Sequence, residues 1–446
     1  MRFYLRRILL ILSILIFLII GTKLLADKNL LINIDHDVLS SVINKYQDVN
    51  IIAPAYAPGI YMSGIYPKNT TSCSWNWGLP EILTYSSSKL MKSPEIGDKS
   101  PYKILPFIIK GKMTNNDDKK LPELTLCTHA TADQVYNIVE IVKRWEGPIS
   151  LAIFTPGIDA GIAVDLLERA CHCEPQMFKV SVHLIFPAGR PPALSSNYYS
   201  KSDCAASDIQ QRSTERKLNN IIYPINVARN IARQQSQTSR VLVSDIELLP
   251  SDKLASGFLN MIHNKPIKFG LIFVVAVFEI ESTELIPNNK SELLKLINDG
   301  LAVYFHKYVC LHCQKFPGLT RWILRNDPGK VRPLIVTKRE FPHHRWEPIF
   351  IGTKDDPFYN ENMSWEGRQD KMAQMLEMCL MNYRLIILDG AFLVHSPGIK
   401  RKSIKSSLHD STYNFIRTQE KYNSRIYQIL TRKLLKKYPA NRRCRQ

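Results

Sequence analysis

The stretch Leu124-Thr-Leu-Cys-Thr-His-Ala-Thr-Ala-Asp-Gln-Val135-Tyr-Asn-Ile138-Val139-Glu-Ile-Val142-Lys-Arg-Trp145-Glu-Gly147-Pro148-Ile149-Ser-Leu-Ala-Ile-Phe154 reads as strand, helix and strand. Leu124 to Thr128 is β-rich. Val135, Ile138, Val139, Val142 and Trp145 then recur at helical spacing, Gly147-Pro148 breaks the helix, and Ile149 to Phe154 is a second apolar strand. The grammar continues downstream. A helix is expected from Ala160 to about Cys171, a strand over Val180-Ser-Val-His-Leu-Ile-Phe186, a helix from about Ile225 to Gln234, and a strand over Arg240-Val-Leu-Val-Ser244. Strands alternating with helices predict an α/β fold with a parallel, doubly wound sheet. Ligands of such sheets bind beyond the carboxyl ends of the strands, so chemistry is sought there.

The second half is more mixed. Gly270 to Phe278 reads as a buried strand, Leu385–Leu388 and Ala391–Val394 as two short ones, and Lys290 to Asn298 as a helix. Between them lies a long irregular region rich in Pro, His and Trp, the kind of segment that builds an acceptor pocket. The chain closes on a basic amphipathic helix, about Thr412 to Lys437. Residues 27–120 are poorly periodic and read as a stem, with Trp75 and Trp77 beside Cys73 packing back onto the core.

Arg2, Arg6 and Arg7 precede a run from Ile8 to Ile20 that is apolar except for Ser13. A cleaved signal peptide and an uncleaved anchor both begin this way. Leu24-Leu25-Ala26 is a poor cleavage site, and arginines on the leading side keep that end cytoplasmic. We therefore expect a type II signal anchor over residues 1–26, a lumenal stem over 27–120 and a catalytic domain over 121–446. That domain is expected to have a nucleotide-binding half at about 121–255 and an acceptor-side half at about 256–446. Sequons at Asn69-Thr-Thr71, Asn289-Lys-Ser291 and Asn362-Met-Ser364 agree with secretory entry. So do nine cysteines, an odd count that leaves at least one unpaired in an oxidising lumen.

The 446 residues carry 45% hydrophobic and 22% charged side chains, which excludes wholesale disorder. Net charge is +19, from 59 Lys and Arg against 40 Asp and Glu. From Lys400 onward there are 14 basic residues and two acidic ones, so 12 of the 19 excess charges belong to the tail. With no zinc-finger spacing and no basic stripe interleaved with aromatics, nucleic-acid binding is excluded.

The sharpest chemical signal is Val241-Leu-Val-Ser244-Asp245-Ile246-Glu247. A buried strand runs into two acids one residue apart, and extended backbone points alternate side chains the same way. Paired carboxylates suit Mn²⁺ or Mg²⁺ holding a nucleoside diphosphate, although an acid-x-acid turn also simply caps strands. Phe392-Leu-Val-His395-Ser-Pro-Gly398-Ile-Lys400 ends a strand on an imidazole, which is either a third metal ligand or a satisfied core residue. Lys400 follows within reach of a phosphate. Arg345-Trp-Glu347-Pro-Ile-Phe350 offers a half-buried acid, either a general base or a surface ion pair. Cys310-Leu-His-Cys313 has no second pair to make a zinc site, so a disulfide is expected.

Together these stretches resemble the β-1,4-glucuronyltransferase 1 family (glycosyltransferase family 49), which includes the glucuronyltransferase half of the LARGE-type enzymes. The resemblance is carried by Tyr223-Pro-Ile-Asn226-Val-Ala-Arg229-Asn230-Ile-Ala-Arg233, Ser244-Asp-Ile-Glu247-Leu-Leu-Pro-Ser251, Phe278-Glu-Ile280, Cys310-x-x-Cys313, Arg345-Trp-Glu-Pro348 and Phe392-Leu-Val-His395. Leu124 to Thr131 and Arg144-Trp-Glu-Gly-Pro-Ile-Ser150 extend it upstream. It implies a GT-A-type Rossmann-like nucleotide-sugar domain, Golgi type II topology, and Mn²⁺-dependent inverting transfer from UDP-glucuronate to a xylose-containing glycan. On this mapping Asp245, Glu247 and His395 hold the metal, Thr128, Arg229 and Lys400 lie near the nucleotide, and Glu347 is the candidate base. Oligomers with itself or with other Golgi transferases are among the partners the resemblance implies. Glu247 replaces the second Asp of the family's Asp-x-Asp, and Phe358-Tyr-Asn-Glu361 lacks an expected Asp. The alternative reading is therefore a pseudoenzyme that keeps the fold as a glycan-binding or partner protein.

Overall fold

The computed structural model describes residues 72–80, 91–92, 101–115, 119–193, 204, 212–395, 398–401, 410–439 and 441–444. The expected anchor over 1–26, the first part of the stem and the sequon at Asn69 lie outside these residues. Among the described residues no helix is long and apolar enough to cross a membrane.

Strands β1 (Met91–Lys92), β2 (Tyr102–Ile109), β3 (Leu124–Thr131), β4 (Ile149–Phe154) and β5 (Val180–Pro187) open the domain. Helices α1 (Ile138–Arg144) and α2 (Asp159–Cys173) connect the parallel strands β3, β4 and β5. After α3 (Glu215–Leu218) and α4 (Ile225–Gln234) comes β6 (Arg240–Val243), parallel to β3. This is the strand–helix alternation expected from Leu124 onward. The apolar residues of β3 divide between its two faces: Leu124, Leu126 and Ala130 join the core beside α1 and α2, while Cys127 packs among the α4 residues Ile225, Val227 and Ile231.

The second half continues the same sheet. β7 (Leu248–Pro250), α5 (Leu254–Ile262), β8 (Leu271–Ile280), α6 (Lys290–Asn298), β9 (Ala302–Tyr304), α7 (Leu319–Leu324), β10 (Arg332–Thr337), β11 (Ile349–Thr353), α8 (Met372–Leu380), β12 (Arg384–His395) and α9 (Asp410–Lys437) follow in order. The strand order is β1-β2-β5-β4-β3-β6-β11-β8-β12-β10, with β7 on β12 and β9 on β8. β11 runs antiparallel to both β6 and β8, so the sheet is mixed and not purely parallel as its first half suggested.

Three elements depart from expectation for stated reasons. β2 lies within the expected stem, yet it pairs antiparallel with β5, so the sheet begins upstream of residue 121. The disulfide Cys73–Cys171 ties residues 72–80 to α2, and Trp75 bridges to Ile109. The two short strands near the end are one, β12, whose register shifts between Ile387 and Phe392. Gly390 makes that bulge possible. Its φ is +77°, and a Cβ there would stand 2.4 Å from the Lys330 carbonyl oxygen. β11 sits inside the irregular region because Pro348 and Gly352 leave only a short apolar run to see. The remaining disulfides are Cys173–Cys204, Cys310–Cys313 and Cys379–Cys444, and Cys127 is free and buried.

Candidate active site

β6 ends at Val243 in the middle of the sheet, and the chain delivers Asp245 and Glu247 just beyond it. Each carboxylate faces cations of its own. Asp245 Oδ1 accepts from His129 Nε2 at 3.1 Å and from Arg229 at 3.1 Å, and Lys371 Nζ lies 3.7 Å from Oδ2. Burial pushes the Asp245 carboxyl up, but Lys371, Arg229 and His129 outweigh it and hold it well below the usual carboxylate range. Glu247 meets His395 Nε2 at 3.1 Å, Lys400 Nζ at 3.7 Å and Gln134 at 3.4 Å. Burial again opposes ionisation, and His395 and Lys400 again prevail, so its carboxyl is lowered. Both acids are ready-made anions.

The supporting cations are built into the fold. Arg229 projects from α4 and is 2% exposed. Its guanidinium also binds Asn226 at 3.0 Å and Asp370 at 3.2 Å and lies over the Tyr359 ring. Those donors are committed, so Arg229 orients Asp245 and does not reach out toward a nucleotide. The same helix holds the segment flagged for its missing Asp: Asn230 donates to the Tyr359 carbonyl and to Glu361, each at 2.9 Å. Thr128 also departs from its expected place. It is fully buried, with Oγ1 unpartnered among the described residues, and alternation along β3 puts it on the face opposite His129. His129 is the residue that β3 gives the site, fixed by the Tyr223 hydroxyl at 2.8 Å.

β12 ends at His395, opposite Glu279 in register and beside Leu248. Its Nδ1–H donates to the Gly398 carbonyl at 3.3 Å, so Nε2 presents either a lone pair or a proton to Glu247. The lone-pair form facing a carboxylate needs a cation between them, and a hard divalent ion suits that nitrogen–oxygen set. The residues therefore fit a metal chemically. Among the described residues, however, no three carboxylate, imidazole or thiolate groups gather around one point. The expected trio of Asp245, Glu247 and His395 is split because each acid turns to its own cations. Lys400 is half-exposed over the Phe305 ring, and its backbone N–H donates to Glu279.

Glu347 stands just before β11. Its N–H donates to the Cys313 carbonyl at 3.0 Å, and its carbonyl accepts from Gln314 at 2.9 Å. The disulfide loop expected at Cys310 and Cys313 thus grips the backbone of the candidate base. Burial and the charge of Asp370 push the Glu347 carboxyl up to about 7, against the pull of Lys371 and Arg229. His129, Asp370 and Lys371 were missed by sequence reasoning. Strict alternation from Cys127 could have named His129, but nothing local marks Asp370 or Lys371.

A family described as "Glycosyl-transferase for dystroglycan" matches residues 123–439. Beta-1,4-glucuronyltransferase 1 of Danio rerio is 27% identical over 362 residues, covering 77% of this chain and 81% of the relative. The Homo sapiens protein of the same name is 27% identical over 357 residues, with the same coverage. Xylosyl- and glucuronyltransferase LARGE1 of Homo sapiens is 23% identical over 289 residues, 62% of this chain and 31% of that one.

Proposed function

The chain belongs to this glycosyltransferase family, and from that premise we propose that it transfers glucuronic acid from UDP-glucuronate, with inversion, to a xylose-containing glycan. The observation that carries the reading is the ionised pair Asp245 and Glu247 at the end of β6, ringed by Arg229, Lys371, His395 and Lys400. Anions on a cationic ground at the carboxyl end of a sheet suit a sugar nucleotide and its counterion. The names of the relatives support glucuronate as the sugar.

On this reading Glu247 and the Nε2 of His395, 3.1 Å apart, would hold Mn²⁺ with Asp245 turned from Lys371 toward them, and the ion would neutralise the diphosphate leaving group. The chain's own residues do the rest. Arg229, His129 and Lys371 keep Asp245 ionised and oriented. Lys400, exposed at the rim, meets a phosphate oxygen. Glu347 accepts the proton of the acceptor hydroxyl as that oxygen attacks the anomeric carbon and the bond to UDP breaks. We further propose that the domain is lumenal, in a type II protein of the Golgi membrane. The basic-then-apolar N-terminus and the disulfides support that compartment.

The test is UDP release by the purified chain with Mn²⁺ across a panel of UDP-sugars, with and without a β-xyloside. Turnover with UDP-glucuronate that needs the xyloside and disappears on chelation is the expected result. A folded protein that binds UDP but turns over no donor would replace this reading with the pseudoenzyme.

A further inference from the structure

The exposed face of α9 carries a line of positive charge that the proposed reaction does not use. Arg417, Lys421, Arg425, Arg432 and Lys436 are all exposed, and at four- and seven-residue intervals they fall along one side of the helix. At 1.5 Å per residue the ridge is about 29 Å long. None of the five is ion-paired among the described residues. The acids near the helix are engaged elsewhere, Glu420 by Arg368 and Glu377 by Lys437.

The opposite face is fastened to the domain. Asn423 is buried, its Nδ2 donating to the carbonyls of Ser364 and Arg368 at 2.9 and 2.8 Å. Just beyond the helix the disulfide Cys379–Cys444 ties the chain to α8. The ridge is thus presented by a rigid support, at a fixed spacing.

We propose that this ridge binds an acidic polysaccharide, a linear chain whose carboxylates lie along it while its end or a branch is worked on at Asp245 and Glu247. Charge complementarity selects a polyanion, and three observations choose among polyanions. The disulfides suit the oxidising compartment proposed above, away from nucleic acid. A helix that inserts into a bilayer puts apolar side chains at the centre of its exposed face, whereas here the centre is basic and the exposed apolar side chains stand at its edges, Tyr422 and Ile429 on one side and Leu435 on the other. Membership of a glycosyltransferase family makes a glycan the polymer at hand. The choice of carboxylate over other anions rests on the proposed glucuronate transfer.

The experiment compares the full chain with the variant Arg417→Gln/Lys421→Gln/Arg425→Gln/Arg432→Gln. The probes are hyaluronan fragments and phosphatidylserine vesicles, and UDP binding is measured on the same samples. The wild type should bind hyaluronan with an affinity that falls steeply between about 50 and 500 mM salt. The variant should lose about tenfold or more of that affinity while binding UDP as before. Equal hyaluronan binding by both proteins, no binding by the wild type, or binding to vesicles in place of hyaluronan would each overturn the proposal. Loss of UDP binding by the wild type would instead strike the donor-site reading.

Discussion

Asp245 and Glu347 are both half-buried acids in one site, yet their surroundings drive them in opposite directions. Two cations, Lys371 and Arg229, and a hydrogen bond from His129 hold Asp245 ionised, whereas burial and Asp370 favour the protonated form of Glu347. Asp245→Asn keeps the shape and deletes the charge, so turnover should fall by about 100-fold or more while UDP-dependent thermal protection shows that the chain is folded. For Glu347, acting as a base requires ionisation. The acid limb of kcat/KM should therefore sit near the raised pKa of about 7, above the ordinary carboxylate range, and should vanish in Glu347→Gln. The stability signs differ as well. Glu347 binds its proton more tightly folded than unfolded, so its contribution is full below the unfolded pKa and is lost as pH rises through about 7. Asp245 does the reverse, contributing above the unfolded pKa and losing that contribution as pH falls below it. Asp245, Glu247, His395 and Lys400 were legible because each closes or follows a strand, and strand ends can be read from apolar runs. Thr128 failed by a single position: strand alternation makes its neighbour His129 the site residue. Arg229 was found, but its role depends on Asp370 and Asp245, partners that no local pattern reveals.

Among elements, β12 carries most of the second half, since it pairs with β7, β8 and β10 and ends at His395. Its bulge places Asp389 against Lys290, the first residue of α6, at 2.6 Å with both side chains fully buried. Arg332 adds a contact at 3.2 Å, and the Lys290 ammonium lies 4.1 Å from the Trp322 ring centroid. Removing Lys290 leaves Asp389 fully buried with Arg332 alone to balance it. Lys290→Met should cost about 3–5 kcal/mol in urea unfolding, and Lys290→Met/Asp389→Leu should recover much of that loss. If the double variant is no better than the single one, the pair is not what holds β12 to α6. The helices that periodicity named, α1, α2, α4, α6 and α9, lie close to their expected bounds, whereas α3, α5, α7 and α8 were not read. The strands were harder. Asp389-Gly390 interrupts the apolar run of β12 and made it look like two strands, although the pairing passes through the bulge. β11 is too short to announce itself, yet beside the β7–β12 pairing it is where the two halves meet.

At the scale of the molecule, that meeting decides whether the nucleotide-side and acceptor-side halves are separable. β6 lies between β3 and β11, and β11 lies between β6 and β8, so the first half completes its sheet with a strand from the second. The site crosses the same seam: Asp245 and Glu247 come from one side of residue 255, and Lys371, His395 and Lys400 from the other. A fragment spanning residues 72–255 would expose the edge of β6, leave Asp245 without Lys371 and Glu247 without His395 and Lys400, and leave apolar face on Leu242 and Leu248 uncovered. The described domain should therefore unfold in one cooperative transition, with fluorescence and far-UV circular dichroism coincident. The 72–255 fragment should show no thermal protection by UDP and should aggregate. Two resolved transitions in the intact chain, or a soluble fragment that binds UDP, would mean that the halves fold independently and that β11 merely docks against a finished sheet.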